Sequence, residues 1–175
     1  VITEISATLA FSAIQNNDKV GLLLFSDEIE LFIPPKKGKT HVLRIIRELL
    51  EFEPGSRRTD FRQALRYMSN VMKKKAIVFV LSDFMDEGYD SALKIVGKKH
   101  DVTGIRVYDR YEEELPKLGM VPMKDSESGE IVLVNTNSRE VRKNYRANYL
   151  KTVDYFENAF TKSGSGTIHT RLDES

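Results

Sequence analysis

The sequence predicts an α/β fold: a doubly wound, mostly parallel sheet with helices on both faces and an antiparallel edge strand. Short apolar strands alternate with longer amphipathic helices, which is typical of βαβ units. The strongest strand, residues 76–81 (AIVFVL), is apolar on both faces and therefore predicts a central parallel strand. The 175 residues suffice for one hydrophobic core, so we predict a single domain over residues 1–175.

The chain begins inside a helical pattern. Apolar residues recur at three- and four-residue steps with no capping residue before them, namely Ile2, Ile5, Leu9 and Ala13. We therefore expect a domain that is truncated at its N-terminus and belongs to a longer parent protein.

A hairpin is predicted after the first helix. Residues 19–25 (KVGLLLF) form a nearly all-apolar strand, and Ser26 and Asp27 form its turn. Residues 28–33 alternate polar and apolar side chains, which indicates a half-buried edge strand closed by Pro34 and Pro35. A second helix from about Thr40 carries one apolar face, formed by Val42, Leu43, Ile46, Leu49 and Leu50.

The middle of the chain continues the alternation. A loop over residues 53–59 (EPGSRRT) leads to Asp60, which opens a helix with an apolar side formed by Phe61, Ala64, Leu65, Met68 and Met72. Strand 76–81 is followed by a polar loop, residues 82–88 (SDFMDEG), a helix to about Lys98 and a strand over residues 101–108.

The last third predicts a second hairpin and a long helix. Strands over residues 120–124 and 130–134 flank a five-residue loop. Ser138 caps a helix that runs to about Lys162, with a buried stripe formed by Val141, Tyr145, Tyr149, Val153, Phe156 and Phe160. A final strand is expected over residues 167–172.

The composition excludes several classes of protein. The formal net charge of +1 gives no field that would attract nucleic acid. The absence of cysteine excludes disulfides and thiolate metal sites, which fits a reducing compartment. No apolar run is long enough to span a membrane and no signal peptide is visible, so we expect a cytoplasmic protein.

The candidate site lies where loops follow the parallel strands, because open α/β sheets bind ligands outside the carboxyl ends of their strands. This rule selects the turn at Ser26 and Asp27, the loop that ends at Thr59 and Asp60, and the loop from Asp83 onward. Carboxylates and hydroxyls are the oxygen ligands that Mg²⁺ prefers.

Two of these segments, RRTDFRQAL and AIVFVLSDF, resemble the second and third parts of the metal-ion-dependent adhesion site of von Willebrand factor A domains. The resemblance implies that Thr59 and Asp83 are ligands of Mg²⁺ or Mn²⁺, with Asp83 bound through a water. It also implies a partner-binding rim around the metal, formed by Ser26, Asp27, Asp60 and Asp86.

Nearly the whole chain is similar to an uncharacterised bacterial family with a von Willebrand A-like domain, encoded beside MoxR-type AAA+ ATPases. The segments DKVGLLLFSDEIELFIPP, IRVYDRYEEELPKLGMVPMKDSESGE and REVRKNYR carry this similarity. It implies a bacterial protein–protein interaction module without enzymatic activity, whose partner system includes such an ATPase. The oligomeric state does not follow from it.

The chain departs from the family in its first metal motif. Asp-x-Ser-x-Ser should end the first central strand, just before the helix with which this chain begins, and it occurs nowhere here. The remaining ligands and that strand are therefore expected to be missing. We expect this chain to bind no metal tightly, because Mg²⁺ dehydrates reluctantly, whereas the complete parent would bind it.

Other interpretations remain open. One is a metal-assisted phosphoryl-transfer or hydrolytic enzyme that uses Asp83 and Asp60; another is a structural domain with a vestigial metal site. Thr59 could instead be a helix cap, and Asp60 and Asp86 could be first-turn or loop carboxylates.

Two weaker signals favour structural roles. Gly38-Lys39-Thr40 lacks the first glycine of a phosphate-binding loop, so a helix start capped by Thr40 is the better interpretation. The three histidines are scattered along the chain, which favours structural or solvated roles over a metal site.

Basic residues on the long helix are interrupted by acidic ones, which favours a solvated face over a docking face for an acidic partner. The basic residues are Arg139, Arg142, Lys143, Arg146 and Lys151.

Overall fold

The largest sheet has three parallel strands and is flanked by helices, and two antiparallel strand pairs accompany it in a mixed α/β structure. The computed structural model describes residues 1–56, 58–124 and 131–173. The elements are α1 (Ile2–Gln15), β1 (Val20–Phe25), β2 (Ile29–Lys36), α2 (Lys39–Glu51), α3 (Phe61–Val71), β3 (Ile77–Ser82), α4 (Asp90–Lys99), β4 (Asp101–Tyr108), α5 (Arg110–Glu113), β5 (Met120–Lys124), β6 (Ile131–Asn135), α6 (Arg139–Lys162) and β7 (Gly166–Arg171).

The first hairpin is confirmed, with one correction. β1 and β2 pair antiparallel around the turn at Ser26 and Asp27, but β2 continues through Pro34 and Pro35 to Lys36. The register shifts between Val20 and Leu22, opposite the two prolines. Proline lacks an N–H and is tolerated at a bulge or at a sheet edge, so the two prolines do not end this strand.

The second helix differs in its start and in its buried face. It begins at Lys39 after Gly38, whose φ of 106° suits glycine, so Thr40 is not its cap. Val42 and Ile45 are the fully buried positions, whereas Leu43 and Leu50 are exposed. The apolar face of α2 is wider than the surface it buries, because α2 packs mainly against α1 and β1.

β4, not β3, is the central strand of the parallel sheet, so the prediction of a central strand at residues 76–81 is wrong for the described structure. β4 pairs with β3 on one side and β7 on the other. β3 has no second partner among the described strands, and its side chains Ile77 and Phe79 are 69% and 42% exposed.

The core lies between this sheet and the helices α3, α4 and α6. Phe61 and Leu65 of α3 meet Leu93 and Val96 of α4 in a cluster that also contains Phe156 and Phe160 of α6. The predicted apolar stripe of the long helix is confirmed at its C-terminal half, where these two phenylalanines are fully buried. α1 and α2 contact each other and β1 instead.

The last third follows the prediction closely. β5 and β6 pair antiparallel, Ser138 caps α6 by accepting a hydrogen bond from Val141 N–H, and β7 joins β4 as a parallel strand. The predicted hairpin loop at residues 125–129 lies outside the described residues. α5 was not predicted; Asp109 caps it, in a capping box with Glu112.

Candidate functional site

Three loops meet at the N-terminus of α3. The carbonyl oxygen of Ser26, at the end of β1, accepts a hydrogen bond from Asp60 N–H at 3.0 Å. The Asp86 carboxylate, in the loop after β3, accepts one from Phe61 N–H at 2.9 Å. The structure therefore brings together Ser26, Asp60 and Asp86, three of the four predicted rim residues, in what we call the loop cluster.

The carboxylates of this cluster complete the first turn of α3. Asp60 is the N-cap, and its side chain accepts a hydrogen bond from Gln63 N–H at 2.9 Å. Together with Asp86 it satisfies two of the four backbone N–H groups that the start of a helix leaves free. Asp60 therefore has a structural role as the N-cap of α3, and Thr59 is not the cap.

Ser26 is buried and organises the turn after β1. Its hydroxyl donates to Glu30 Oε1 at 2.6 Å, and the same carboxylate oxygen accepts Gly55 N–H at 3.0 Å. Asp27, the fourth rim residue, is half-buried, with its Oδ1 3.4 Å from the Ser26 hydroxyl. The sequence did not identify Glu30 as part of the site. The polar–apolar alternation of its strand indicates only that this position is polar, and it does not indicate which groups the carboxylate binds.

Asp83 is exposed at the end of β3. Its Oδ1 accepts Met85 N–H at 3.2 Å and lies 3.3 Å from the Ser82 hydroxyl. The next residue, Phe84, has a φ of 55°, which is unfavourable for a bulky side chain. Its ring is buried 5.6 Å from Phe61 and 4.3 Å from Phe156, and this packing holds the turn that leaves Asp83 at the surface.

Thr59 and Asp83 fit the oxygen chemistry of a hard cation but do not make a site by themselves. Both are exposed, and the Thr59 hydroxyl makes no hydrogen bond within the described ranges. No group of three or more His, Asp or Glu side chains in the described part of the chain is arranged to hold a metal ion. Mg²⁺ requires about six oxygen ligands in near-octahedral geometry, so further ligands are needed.

A buried arginine near these loops was also missed. Arg106 of β4 is fully buried; its guanidinium lies 4.6 Å and 4.9 Å from the ring centres of Tyr108 and Tyr149 and donates to the Tyr149 hydroxyl. Glu112 of α5 lies 3.7 Å from it. Burial raises the pKa of the Glu112 carboxyl, and this outweighs the opposing effects of Asp109 N–H and Arg106. The only sequence signal was an arginine inside an apolar strand.

The histidines occupy separate places, as predicted. His41 Nε2 lies 2.9 Å from the Val20 carbonyl oxygen, His100 is buried at the end of α4, and His169 lies 3.1 Å from Glu157. Among the described helices, none has the length and hydrophobicity required to cross a lipid bilayer.

The fold and the loop cluster define an α/β domain in which loops bearing carboxylates and hydroxyls meet at the N-terminus of α3. The chain belongs to the family described as "Protein of unknown function DUF58", whose model matches residues 1–154. The uncharacterized proteins Rv1480 of Mycobacterium tuberculosis and Mb1516 of Mycobacterium bovis are each 24% identical to it over 127 residues. The match covers 71% of this chain and only 40% of those relatives.

Two solved structures share the fold. The conserved hypothetical protein BatB from Bacteroides thetaiotaomicron superposes with a TM-score of 0.54 and 16% identity, over 99% of this chain and 80% of that one. An aerotolerance-related membrane protein from Bacteroides fragilis, carrying multiple mutations to serines, gives the same TM-score and identity over 98% and 81%. At this identity the likeness concerns the fold alone.

Proposed function

We propose that the chain is part of a protein–protein interaction module of the von Willebrand A type, metal-dependent in its longer parent and without enzymatic activity. The observation that carries the proposal is the loop cluster. Hydrogen bonds from Asp60 N–H to Ser26 and from Phe61 N–H to Asp86 draw together the loops after β1 and β3 and the loop between α2 and α3, and each loop contributes a predicted rim residue.

The proposal includes a finer fold assignment, a doubly wound von Willebrand A sheet completed by a strand that this chain does not contain. Two features support it. The β1–β2 pair and the β3–β4–β7 sheet are separate, and Phe61 of α3 connects them. It is stacked 5.9 Å from Phe25 of β1 and belongs to the same core cluster as Val80 of β3. An added strand between β1 and β3 would join the two sheets through strand edges that have no described partner.

In this proposal Thr59 and Asp83 bind Mg²⁺ or Mn²⁺ in the parent protein. Asp83 is exposed, and the hydrogen bonds described above engage only its Oδ1, so Oδ2 remains available to a metal-bound water. A carboxylate of the partner would complete the coordination of the metal. This chain alone would bind no metal tightly, because two dispersed ligands do not repay the dehydration of the ion.

The partner system proposed from the family resemblance includes a MoxR-type AAA+ ATPase in the bacterial cytoplasm, acting in the assembly or maturation of other proteins. The carboxylates of Asp83, which is exposed, and of the rim residue Asp27 would provide polar contacts in such an interface. The loop cluster adds a rigid base for it, since Asp60 and Asp86 are held by the helix that they cap.

The metal site is tested by calorimetric titration of the full-length parent with MgCl₂. We expect Asp83→Asn to weaken Mg²⁺ binding about tenfold or more, because the substitution removes the anionic ligand and keeps the oxygen that accepts Met85 N–H. Asp101→Asn is the matched control, since Asp101 starts β4 at the opposite end of the sheet. Equal affinity in the wild type and Asp83→Asn would contradict the proposal.

Partner binding is tested with the purified MoxR-type ATPase encoded beside the parent gene. We expect binding with Mg²⁺ present, and loss of binding with EDTA or with Asp83→Asn, because the metal bridges the two proteins. Equal binding with EDTA and with Asp83→Asn would show that the interaction does not depend on the metal. Hydrolysis of a phosphate ester that depends on Asp83 and Asp60 would instead support the enzyme interpretation.

A further inference from the structure

A basic cleft lies between α5, the segment after it and the N-terminal half of α6. Its volume is about 680 Å³. Its walls carry two acidic side chains, Glu113 and Glu114, and six cationic ones: Arg110, Lys117, Arg139, Arg142, Lys143 and Arg146. The cleft thus has an excess of four positive charges in a chain whose formal net charge is +1. Such a local concentration attracts an anionic partner.

Internal bonds hold the walls of the cleft in place. Arg146 lies 3.5 Å from Glu113 and 3.1 Å from Glu114, so one arginine pairs with both acidic side chains. The Tyr145 hydroxyl donates to the Tyr111 carbonyl oxygen at 2.9 Å and ties α6 to α5. Because these contacts are already made, a ligand would not have to order the walls.

Four of the cations remain available. They are exposed and form no salt bridge with any residue in the described ranges: Arg110, Lys117, Arg139 and Lys143. Arg142 is oriented by the carbonyl oxygens of Thr136 and Asn137, both 3.0 Å from its Nη1. The cleft therefore combines fixed and free positive charges.

The second hairpin follows the cleft in the chain and exposes apolar side chains. β5 begins three residues after Lys117, and the intervening Leu118 is 68% exposed. Residues that pair directly across the hairpin lie on the same face, and every second pair shares that face. One of the two faces includes Met120, Pro122, Ile131 and Leu133. Leu133 is 65% and Ile131 75% exposed.

This hairpin is a separate two-stranded sheet in the described structure. A two-stranded pair is marginally stable in water, and a contiguous exposed apolar surface marks an interaction site. We call Leu118 together with the face just defined the hairpin face.

We propose that the basic cleft and the hairpin face together bind an acidic, amphipathic segment of a protein partner. Charge complementarity selects the acidic residues of the segment, and the hairpin face selects its apolar ones. The surface uses none of the residues of the loop cluster, so it is independent of the metal proposal.

Two other anionic partners fit less well. The hairpin face presents aliphatic side chains and no aromatic ring on which the bases of a nucleic acid could stack. The surface is concave, whereas a flat array of cations would suit a lipid headgroup surface. A peptide can alternate acidic and apolar side chains to match both parts.

The experiment uses the full-length parent and a fluorescein-labelled synthetic peptide in which glutamate alternates with pairs of leucine and phenylalanine. Fluorescence anisotropy gives its Kd, and a second peptide with glutamine in place of glutamate tests the charge. Single-stranded DNA and vesicles of phosphatidylserine and phosphatidylcholine serve as the competing anions. We expect binding of the acidic peptide that weakens as salt is raised, because exposed charges are screened.

Variants then localise the binding. The double charge reversal Arg139→Glu with Lys143→Glu is expected to raise Kd about tenfold or more, and Leu133→Ser about threefold. Lys151→Glu, on the same helix and also exposed but outside the cleft, is the matched control and should change Kd less than about twofold.

Several outcomes would overturn the proposal: no binding of the acidic peptide, equal binding of the glutamine peptide, or an equal loss in Lys151→Glu. Tighter binding of DNA or vesicles than of the peptide, lost in the same double variant, would assign the cleft to those partners instead. Circular dichroism of each variant verifies that the fold is intact.

Discussion

A tyrosine in the core and another at its edge show how a hydroxyl group can destabilise or stabilise the fold. Tyr89 is completely buried among aromatic rings, and its hydroxyl has no hydrogen-bond partner within the described part of the chain. Burial, followed by the negative charge that surrounds it, raises the pKa of Tyr89 far above its ordinary value. The Tyr155 hydroxyl, by contrast, donates to Asp90 Oδ2 at 2.7 Å and accepts Gly88 N–H at 2.8 Å.

Removing these two hydroxyls should therefore have opposite effects. Tyr89→Phe is expected to leave the free energy of unfolding unchanged or raise it by up to about 1 kcal/mol, because a buried unpaired hydroxyl is costly. Tyr155→Phe is expected to lower it by about 1 kcal/mol, because two hydrogen bonds are lost. Urea unfolding of both variants measures the difference, and a larger loss in Tyr89→Phe would contradict it.

At the scale of elements, His100 joins the end of α4 to the start of the parallel sheet. It is 3% exposed, and its Nδ1 accepts Ala76 N–H at 3.2 Å. This bond requires an unprotonated Nδ1. Burial, assisted by the charge of Lys99, lowers the pKa of His100 below its ordinary value of 6.5.

The direction of this pKa shift gives a pH dependence. The unfolded chain binds the proton more readily, so the contribution of His100 is fully present above about pH 6.5 and is lost as pH falls toward the lower pKa of the folded state. His100→Asn keeps an oxygen acceptor for Ala76 N–H and does not titrate. We expect Tm to fall less steeply with acidification in this variant than in the wild type, measured by calorimetry; parallel curves would exclude His100 as the titrating group.

A glycine sets the distance between β4 and α6. A Cβ at Gly104 would lie 2.6 Å from Phe160 and 2.7 Å from Phe156, both of which are fully buried. Gly104→Ala is expected to destabilise the fold by about 1–3 kcal/mol through overpacking. Gly166→Ala in β7 is the matched control, because its Cβ would meet only the Thr103 side chain, at 3.3 Å. Chemical denaturation compares the two, and equal losses would argue against close packing at Gly104.

At the scale of the molecule, the sheets differ in how well they are covered. β4 is paired on both sides and largely buried, whereas the β5–β6 pair is separate and exposes Ile131 and Leu133. We expect amide hydrogens of β4 to exchange about 100-fold or more slowly than those of β6, because local opening is easiest where few apolar contacts are made. Hydrogen–deuterium exchange of the parent measures this, and similar rates in both strands would contradict it.

Local patterns in the sequence determined most elements of the fold. Apolar periodicity located α3 and α6, the caps Asp60 and Ser138 marked where they begin, and β4 ends at Tyr108 as predicted. These features depend on neighbouring residues, so the sequence alone contains them.

Only the tertiary structure decided which strand is central and which residues meet at the loop cluster. β3 is more apolar than β4, yet β4 is the strand that is paired on both sides. The Tyr108 and Tyr149 rings cover the buried guanidinium of Arg106 there. Asp86 reaches the N–H of Phe61 across 25 residues of chain. The sequence could name Asp60 and Asp86 as candidates, but a contact between distant residues depends on how the helices pack, and no local pattern encodes that.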